Sequence, residues 1–296
     1  MRGGFRTLTL LLGAMLLVLV AIPVAAITRG GEPDGGEHPY VGLMVAYADF
    51  KIDHDGDAGT ADRYLPLWRC SGALISETVF VTAGHCVGLD PGSGFAPAFA
   101  GIWFDEDVDP LRGDMGYPWL EYAPYTGDPN PHPSYNPFAF FLHDLGVVEL
   151  DNGGFEPSSF AALPAVGAID DMGKGRKNNT MEAVGYGLQR IVDNPVKGAI
   201  HLEAELDRRK ADLFVVNTIG VAGLGAVNPG QSIAVSGDAS RGGTCFGDSG
   251  GPQLIDGGNV IGAVTSFGLN GNCAGIGGGY RIDQVDDLAF IQSFLP

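Results

Sequence analysis

The chain has 296 residues, of which 45% are apolar, 47 are glycine and 19 are proline. This length suits one large domain or two of medium size, and the turn-rich composition favours short strands over a helical bundle or a disordered chain. The net charge of -18 disfavours nucleic acid and anionic membranes as partners, because both repel an acidic surface.

The first 26 residues have the pattern of an export signal. Arg2 and Arg6 form a positive start, the apolar run Leu8–Ile22 follows, and small side chains stand at positions 24 and 26. A membrane anchor would need about 20 apolar residues. We therefore expect a secreted, extracellular protein that begins at Ile27 and has no membrane contact once the signal is removed.

Short strand-like segments, rich in β-branched and aromatic residues and bounded by turn formers, dominate the remaining chain. In chain order they are Val41–Tyr47, Ser71–Ile75, Val79–Thr82, Leu145–Leu150, Val184–Tyr186, Leu213–Val216 and Val260–Ser266. Helical spacing of apolar residues occurs at the C-terminus, over Gln284–Leu295. The pattern predicts an all-β fold of barrels or sandwiches.

Two acidic segments raise the question of a metal site. Asp49–Arg63 resembles a calcium loop only loosely, because Ala58 stands where an EF-hand needs glycine and no glutamate follows at the twelfth position. We interpret it as a solvated hairpin tip and Phe104–Asp109 as a solvated turn. No metal and no cofactor are expected.

Four cysteines, Cys70, Cys86, Cys245 and Cys273, allow three pairings. Export permits disulfides, and closeness along the chain favours Cys70–Cys86 and Cys245–Cys273. The alternative is metal binding, which would need tight spacings such as C-x-x-C that the sequence lacks.

The segment Gly247–Pro252 reads GDSGGP and offers a candidate nucleophile, Ser249. A serine hydroxyl needs a neighbouring general base and donors for the oxyanion that forms on attack. Flanking glycines let the backbone approach a substrate carbonyl. Alone, G-x-S-x-G also fits a nucleophile elbow or an ordinary glycine turn.

The positions of the histidines restrict the general base. None of the six follows Ser249, which excludes the α/β-hydrolase order if Ser249 is the nucleophile. His85 follows a predicted strand and precedes Cys86, a setting that would hold an imidazole rigidly. A lone histidine is usually structural, but this context favours His85 as the base.

The third member of a triad must be a buried carboxylate that fixes the imidazole tautomer. Asp144 directly precedes the apolar run Leu145–Val148 and so lies where a loop enters a buried strand. Asp151, at the far end of that strand, is interpreted as a turn residue. The predicted catalytic order is His85, Asp144, Ser249.

Four segments together resemble the chymotrypsin/trypsin-like serine proteases: VTAGHC (81–86), HDLGVVEL (143–150), GDSGGP (247–252) and TSFG (265–268). The resemblance covers most of 27–296. It implies two six-stranded antiparallel β-barrels with a C-terminal helix and a cleft between the barrels, one at 27–160 with His85 and Asp144 and one at 161–296 with Ser249. It also implies both disulfides and an oxyanion hole from the N–H groups of Gly247 and Ser249.

The resemblance further implies an activation ion pair between the free N-terminus of Ile27 and Asp248. The predicted signal cleavage would expose Ile27 without a separate zymogen step. The start differs from the family's pattern, however, because Thr28-Arg29 precede the two glycines.

The same alignment places the base of the specificity pocket at Gly243 and its walls at Gly268 and Gly278. None of these is a carboxylate, so we expect cleavage after large apolar or aromatic residues rather than after Lys or Arg. Phe267 and the backbone of Ser266–Gly268 should pair with an extended substrate.

These features predict a secreted serine endopeptidase that acts on peptides or proteins, with a monomer as the default state. Two alternatives remain: a catalytically silent homologue that acts in binding, and an esterase that uses the same triad.

Overall fold

The computed structural model describes residues 31–57, 62–139, 141–170, 172, 179–194, 199–203, 205–220, 230–237 and 242–296. The expected export signal at 1–26 and the expected N-terminus at Ile27 lie outside the described residues. Among the described helices, none has the length and apolarity needed to span a membrane.

The first barrel is closed by six antiparallel strands in the order β2-β3-β4-β7-β6-β5. Its inner face is apolar, with Val41, Leu43, Val81, Ile102 and Val147 fully buried. The strands are β2 (Val41–Ile52), β3 (Arg63–Leu74), β4 (Val79–Thr82), β5 (Phe99–Trp103), β6 (Tyr125–Pro131) and β7 (Gly146–Leu150), and the short helix α1 (Gly84–Val87) follows β4.

The second barrel closes in the order β8-β11-β12-β15-β14-β13, because β8 pairs with both β13 and β11. Its strands are β8 (Thr180–Gly185), β11 (Arg209–Asn217), β12 (Ser232–Ser236), β13 (Pro252–Ile255), β14 (Ile261–Gly268) and β15 (Ile276–Arg281). A hairpin of β9 (Arg190–Asn194) and β10 (Ala199–Glu203) lies between β8 and β11, and helix α2 (Val285–Gln292) ends the chain. The predicted fold of two six-stranded barrels with a C-terminal helix is confirmed.

The N-terminal segment docks on the second barrel before the chain enters the first. Strand β1 (Glu32–Pro33) pairs with Arg209 and Lys210 at the start of β11. Next to this contact the Asp34 carboxylate is fully buried, and it accepts hydrogen bonds from Arg208 Nε at 2.9 Å and from the His38 imidazole. The other ring nitrogen of His38 lies 3.2 Å from Glu182 on β8.

This buried cluster should give the protein a pH-dependent stability. Burial lowers the His38 pKa, but Asp34 and Glu182 outweigh it and raise the pKa to about 9. Burial raises the Asp34 pKa, but bonds to His38 and Arg208 lower it to about 2. The stabilisation from His38 is therefore full below about pH 6.5 and lost as pH rises towards 9, and that from Asp34 is full above about pH 4 and lost as pH falls towards 2.

We expect the free energy of unfolding, measured with urea, to fall by on the order of 2 kcal/mol between pH 6.5 and 9. The His38→Gln variant should be less stable at pH 6 and should lose less stability over that interval. An equal loss in both proteins would show that His38 is not responsible.

Candidate active site

His85 and Asp144 are brought together by the ends of two paired strands. Thr82 at the end of β4 lies opposite Gly146 at the start of β7. His85 lies in helix α1, which follows β4, and Asp144 lies in the loop that precedes β7. His85 Nδ1 lies 2.9 Å from Asp144 Oδ2, and the backbone N–H of His85 donates to Asp144 Oδ1 at 2.8 Å. The predicted pairing of histidine and carboxylate is thus present in the structure.

The groups around the His85–Asp144 pair orient it and raise the pKa of His85. Asp144 is fully buried, and it also accepts a hydrogen bond from the Ser266 hydroxyl on β14. Burial lowers the His85 pKa, but the charge of Asp144 and its hydrogen bond outweigh this and the net pKa is raised. With Nδ1 donating to Asp144, the neutral ring presents the lone pair of Nε2.

Ser249 lies in a loop that is held between the two barrels by backbone hydrogen bonds. The N–H of Ser71 on β3 donates to the Ser249 carbonyl at 2.8 Å, and the N–H of Gly250 donates to the Thr265 carbonyl on β14, also at 2.8 Å. Gly247 and Gly250 have φ angles of +99° and +79°, which side chains rarely adopt. These glycines let the chain turn sharply on both sides of Ser249.

His85 and Ser249 lie on the wall of one cleft with a volume of about 950 Å³. Trp68, Leu188, Phe246 and Phe267 give it a largely apolar lining. The disulfide Cys70–Cys86 is formed next to His85, and Cys245–Cys273 is formed in the second barrel, as predicted. The cleft therefore combines an imidazole–carboxylate pair, an accessible serine and room for an apolar side chain.

The residues proposed for substrate specificity fall into two groups. Ser266, Phe267 and Gly268 line the cleft. Gly243 lies with Gly268 and Gly277 around a small adjoining cavity. A Cβ on Gly278 would lie 2.2 Å from the ring of Phe267, which lines the cleft. Its neighbour Gly277 lines the small cavity with Gly243.

Asp248, next to the serine, is buried and is held by two backbone donors. The N–H of Gly187 lies 2.7 Å from one carboxylate oxygen and that of Cys245 lies 2.8 Å from the other. Burial raises the Asp248 pKa to about 6, although these bonds and the charge of Arg69 lower it. A cation placed at this carboxylate would relieve the cost of burying its charge.

Two clusters of possible metal ligands occur among the described residues. One contains Cys70 and Cys86, which are disulfide-bonded. The other contains His132, His143, Asp286 and Asp287. There the N–H of Ser134 donates to His132 Nδ1, so Nε2 of the neutral ring carries the proton and has no free lone pair for a metal.

Comparison with known proteins identifies the family. A structure of HL collagenase is 16% identical and superposes with a TM-score of 0.60, covering 90% of this chain and 96% of that chain. A structure of GrC is 15% identical with a TM-score of 0.56, covering 90% and 96%. No curated protein matches the sequence. The family model described as Trypsin matches residues 60–287, which is most of the chain. The chain therefore belongs to the trypsin family.

Proposed function

We propose that this protein is a serine endopeptidase with His85, Asp144 and Ser249 as its catalytic triad. The observation that carries the proposal is that His85 lines the same cleft as Ser249 and is hydrogen-bonded through Nδ1 to the buried Asp144. Such a pair leaves Nε2 ready to take a proton from a serine hydroxyl. Contact between the Ser249 hydroxyl and His85 during the reaction is part of the proposal.

The reaction would proceed through an acyl-enzyme. Ser249 Oγ attacks the peptide carbonyl carbon while His85 Nε2 takes the hydroxyl proton, and the N–H groups of Gly247 and Ser249 bind the oxyanion. His85 then gives the proton to the leaving nitrogen as the C–N bond breaks. Water repeats the sequence on the acyl carbonyl and regenerates Ser249.

The proposed preference before the scissile bond is for a large apolar or aromatic side chain. Among the described residues that line the cleft and the adjoining cavity, Asp90 is the only carboxylate, and it accepts hydrogen bonds from the N–H groups of Gly92 and Ser93 in its own turn. A Lys or Arg side chain of the substrate would therefore lack a buried partner in the adjoining cavity.

We also propose that export exposes Ile27 and that its ammonium group pairs with Asp248. The first described residue, Gly31, lies against Gly242 at the start of the loop that carries Asp248, and the raised Asp248 pKa favours a cation there. N-terminal sequencing of the secreted protein tests this, and activity in a protein that starts elsewhere would overturn it.

Cleavage profiling of purified mature protein against a mixed peptide library tests the proposed function. We expect cuts after Phe, Tyr, Leu or Met. Cuts only after Lys or Arg would overturn the preference but keep the peptidase. Hydrolysis of esters alone would indicate the esterase, and no turnover together with no labelling by a serine-directed probe would indicate a silent homologue.

A further inference from the structure

Arg69 is an unusual residue in this cleft because it brings a positive charge to a strongly acidic protein. Among the described residues that line the cleft it is the only lysine or arginine. It is half-buried, and within the described part of the chain no carboxylate lies within ion-pair distance of it. Its charge acts on Asp248 only from a distance. The guanidinium is thus available to a ligand.

The position of Arg69 relative to the reacting atoms is well defined. A Cβ on Gly247 would lie 2.9 Å from Arg69 Nε, so the side chain lies against the backbone that carries one proposed oxyanion donor. Arg69 also stands two residues before Ser71, whose N–H holds the Ser249 carbonyl. The Arg69 guanidinium therefore lies beside the backbone that would bind the carbonyl oxygen of the scissile bond.

The two strands that hold the Ser249 loop belong to different barrels. β14 holds Gly250 through Thr265 and continues into Ser266–Gly268, which the proposed function assigns to the acyl half of the substrate. β3, in the first barrel, holds Ser249 and carries Arg69. If the acyl half of the substrate pairs with β14 of the second barrel, the leaving half would extend past Ser249 towards the first barrel and β3.

We propose that Arg69 is a specificity-determining residue that binds a carboxylate in the first two residues after the scissile bond. A guanidinium pairs with a carboxylate through two parallel hydrogen bonds, which gives direction as well as charge. The net negative charge of the rest of the protein repels an acidic substrate. Arg69 therefore determines the position at which the cleft accepts an acidic group. The carboxylate belongs to an Asp or Glu side chain or to a free C-terminus. This inference rests on the proposed function.

The test uses quenched fluorescent peptides that share one acyl half. In the first set the leaving half is capped with an amide and carries Glu or Gln at its first or second position. In the second set a short leaving half has neutral side chains and ends in a free carboxylate. We expect the wild type to prefer Glu over Gln in kcat/KM by about tenfold at one position, as a charged hydrogen bond would give. Arg69→Gln should abolish the preference and Arg69→Lys should keep part of it.

The amide-capped Gln peptides, which carry no carboxylate in the leaving half, separate the possible outcomes. Arg69→Gln should still cleave the Gln peptides, and an unchanged melting temperature would show that the variant folds. Arg112→Gln, which changes an exposed arginine paired with Asp109, should leave every ratio unchanged. A preference for the free-carboxylate peptide alone would identify the C-terminus as the ligand. Equal cleavage of acidic and neutral peptides by the wild type would overturn the role of Arg69, whereas no cleavage of any peptide would overturn the proposed function itself.

Discussion

Replacing Ser249 by alanine is expected to lower kcat/KM for peptide hydrolysis by about four orders of magnitude or more. The substitution removes the oxygen that would form the acyl-enzyme and leaves only substrate binding and the oxyanion donors. The fold should not change, because the loop is held through the Ser249 carbonyl and the Gly250 N–H rather than through the side chain. Peptide hydrolysis and thermal unfolding of the same preparation measure the two effects.

The exposed Ser158 provides a matched control. Ser158→Ala should keep full activity and full labelling by a serine-directed phosphonate, and Ser249→Ala should lose both with an unchanged melting temperature. Normal hydrolysis by Ser249→Ala would mean that another group is the nucleophile, and the assignment of the triad would then be wrong.

The sequence predicts the parts of the site that are carried by short, chemically specific segments. Local patterns place His85 just after one strand and Asp144 just before another, and the requirements of a triad predict that the two side chains meet; the structure pairs these strands. Closeness along the chain favours the two disulfides that form, whereas the two-barrel fold is predicted by the family resemblance, since the strand pattern alone leaves barrels and sandwiches open. Each of these predictions depends on residues whose types and order are typical of few other structural or functional sites.

Other features depend on register and on long-range contacts, which a single sequence does not contain. A slip of one residue in a strand reverses the face of the side chain, and the sequence alone does not fix the register of β15, where Gly277 lines the small cavity with Gly243. The Ser266 hydroxyl was expected only on the substrate-pairing strand, yet it also holds Asp144. The ion pair of Asp34 with Arg208 joins positions 174 residues apart, and no local pattern predicts it.

Replacing Asp144 by asparagine should be the second most damaging change, with a loss of about 10⁴-fold in kcat near neutral pH, as in a serine-protease triad with the same substitution. The asparagine amide can donate to His85 Nδ1, and the proton would then sit on Nε2, where it prevents the ring from accepting the serine proton. Asp151→Asn, at the exposed far end of β7, is a matched control that should keep normal activity.

The pH profile distinguishes this role of Asp144 from a purely structural one. His85 must be neutral to act as base, and Asp144 raises its pKa, so wild-type kcat/KM should fall on acidification at a higher pH than an ordinary histidine would give. In Asp144→Asn the raising charge is lost while burial of the ring still lowers its pKa. The acid limb of the residual activity should therefore move to lower pH. A variant that retains more than a tenth of the activity, or that keeps the acid limb in place, would show that Asp144 does not act through His85.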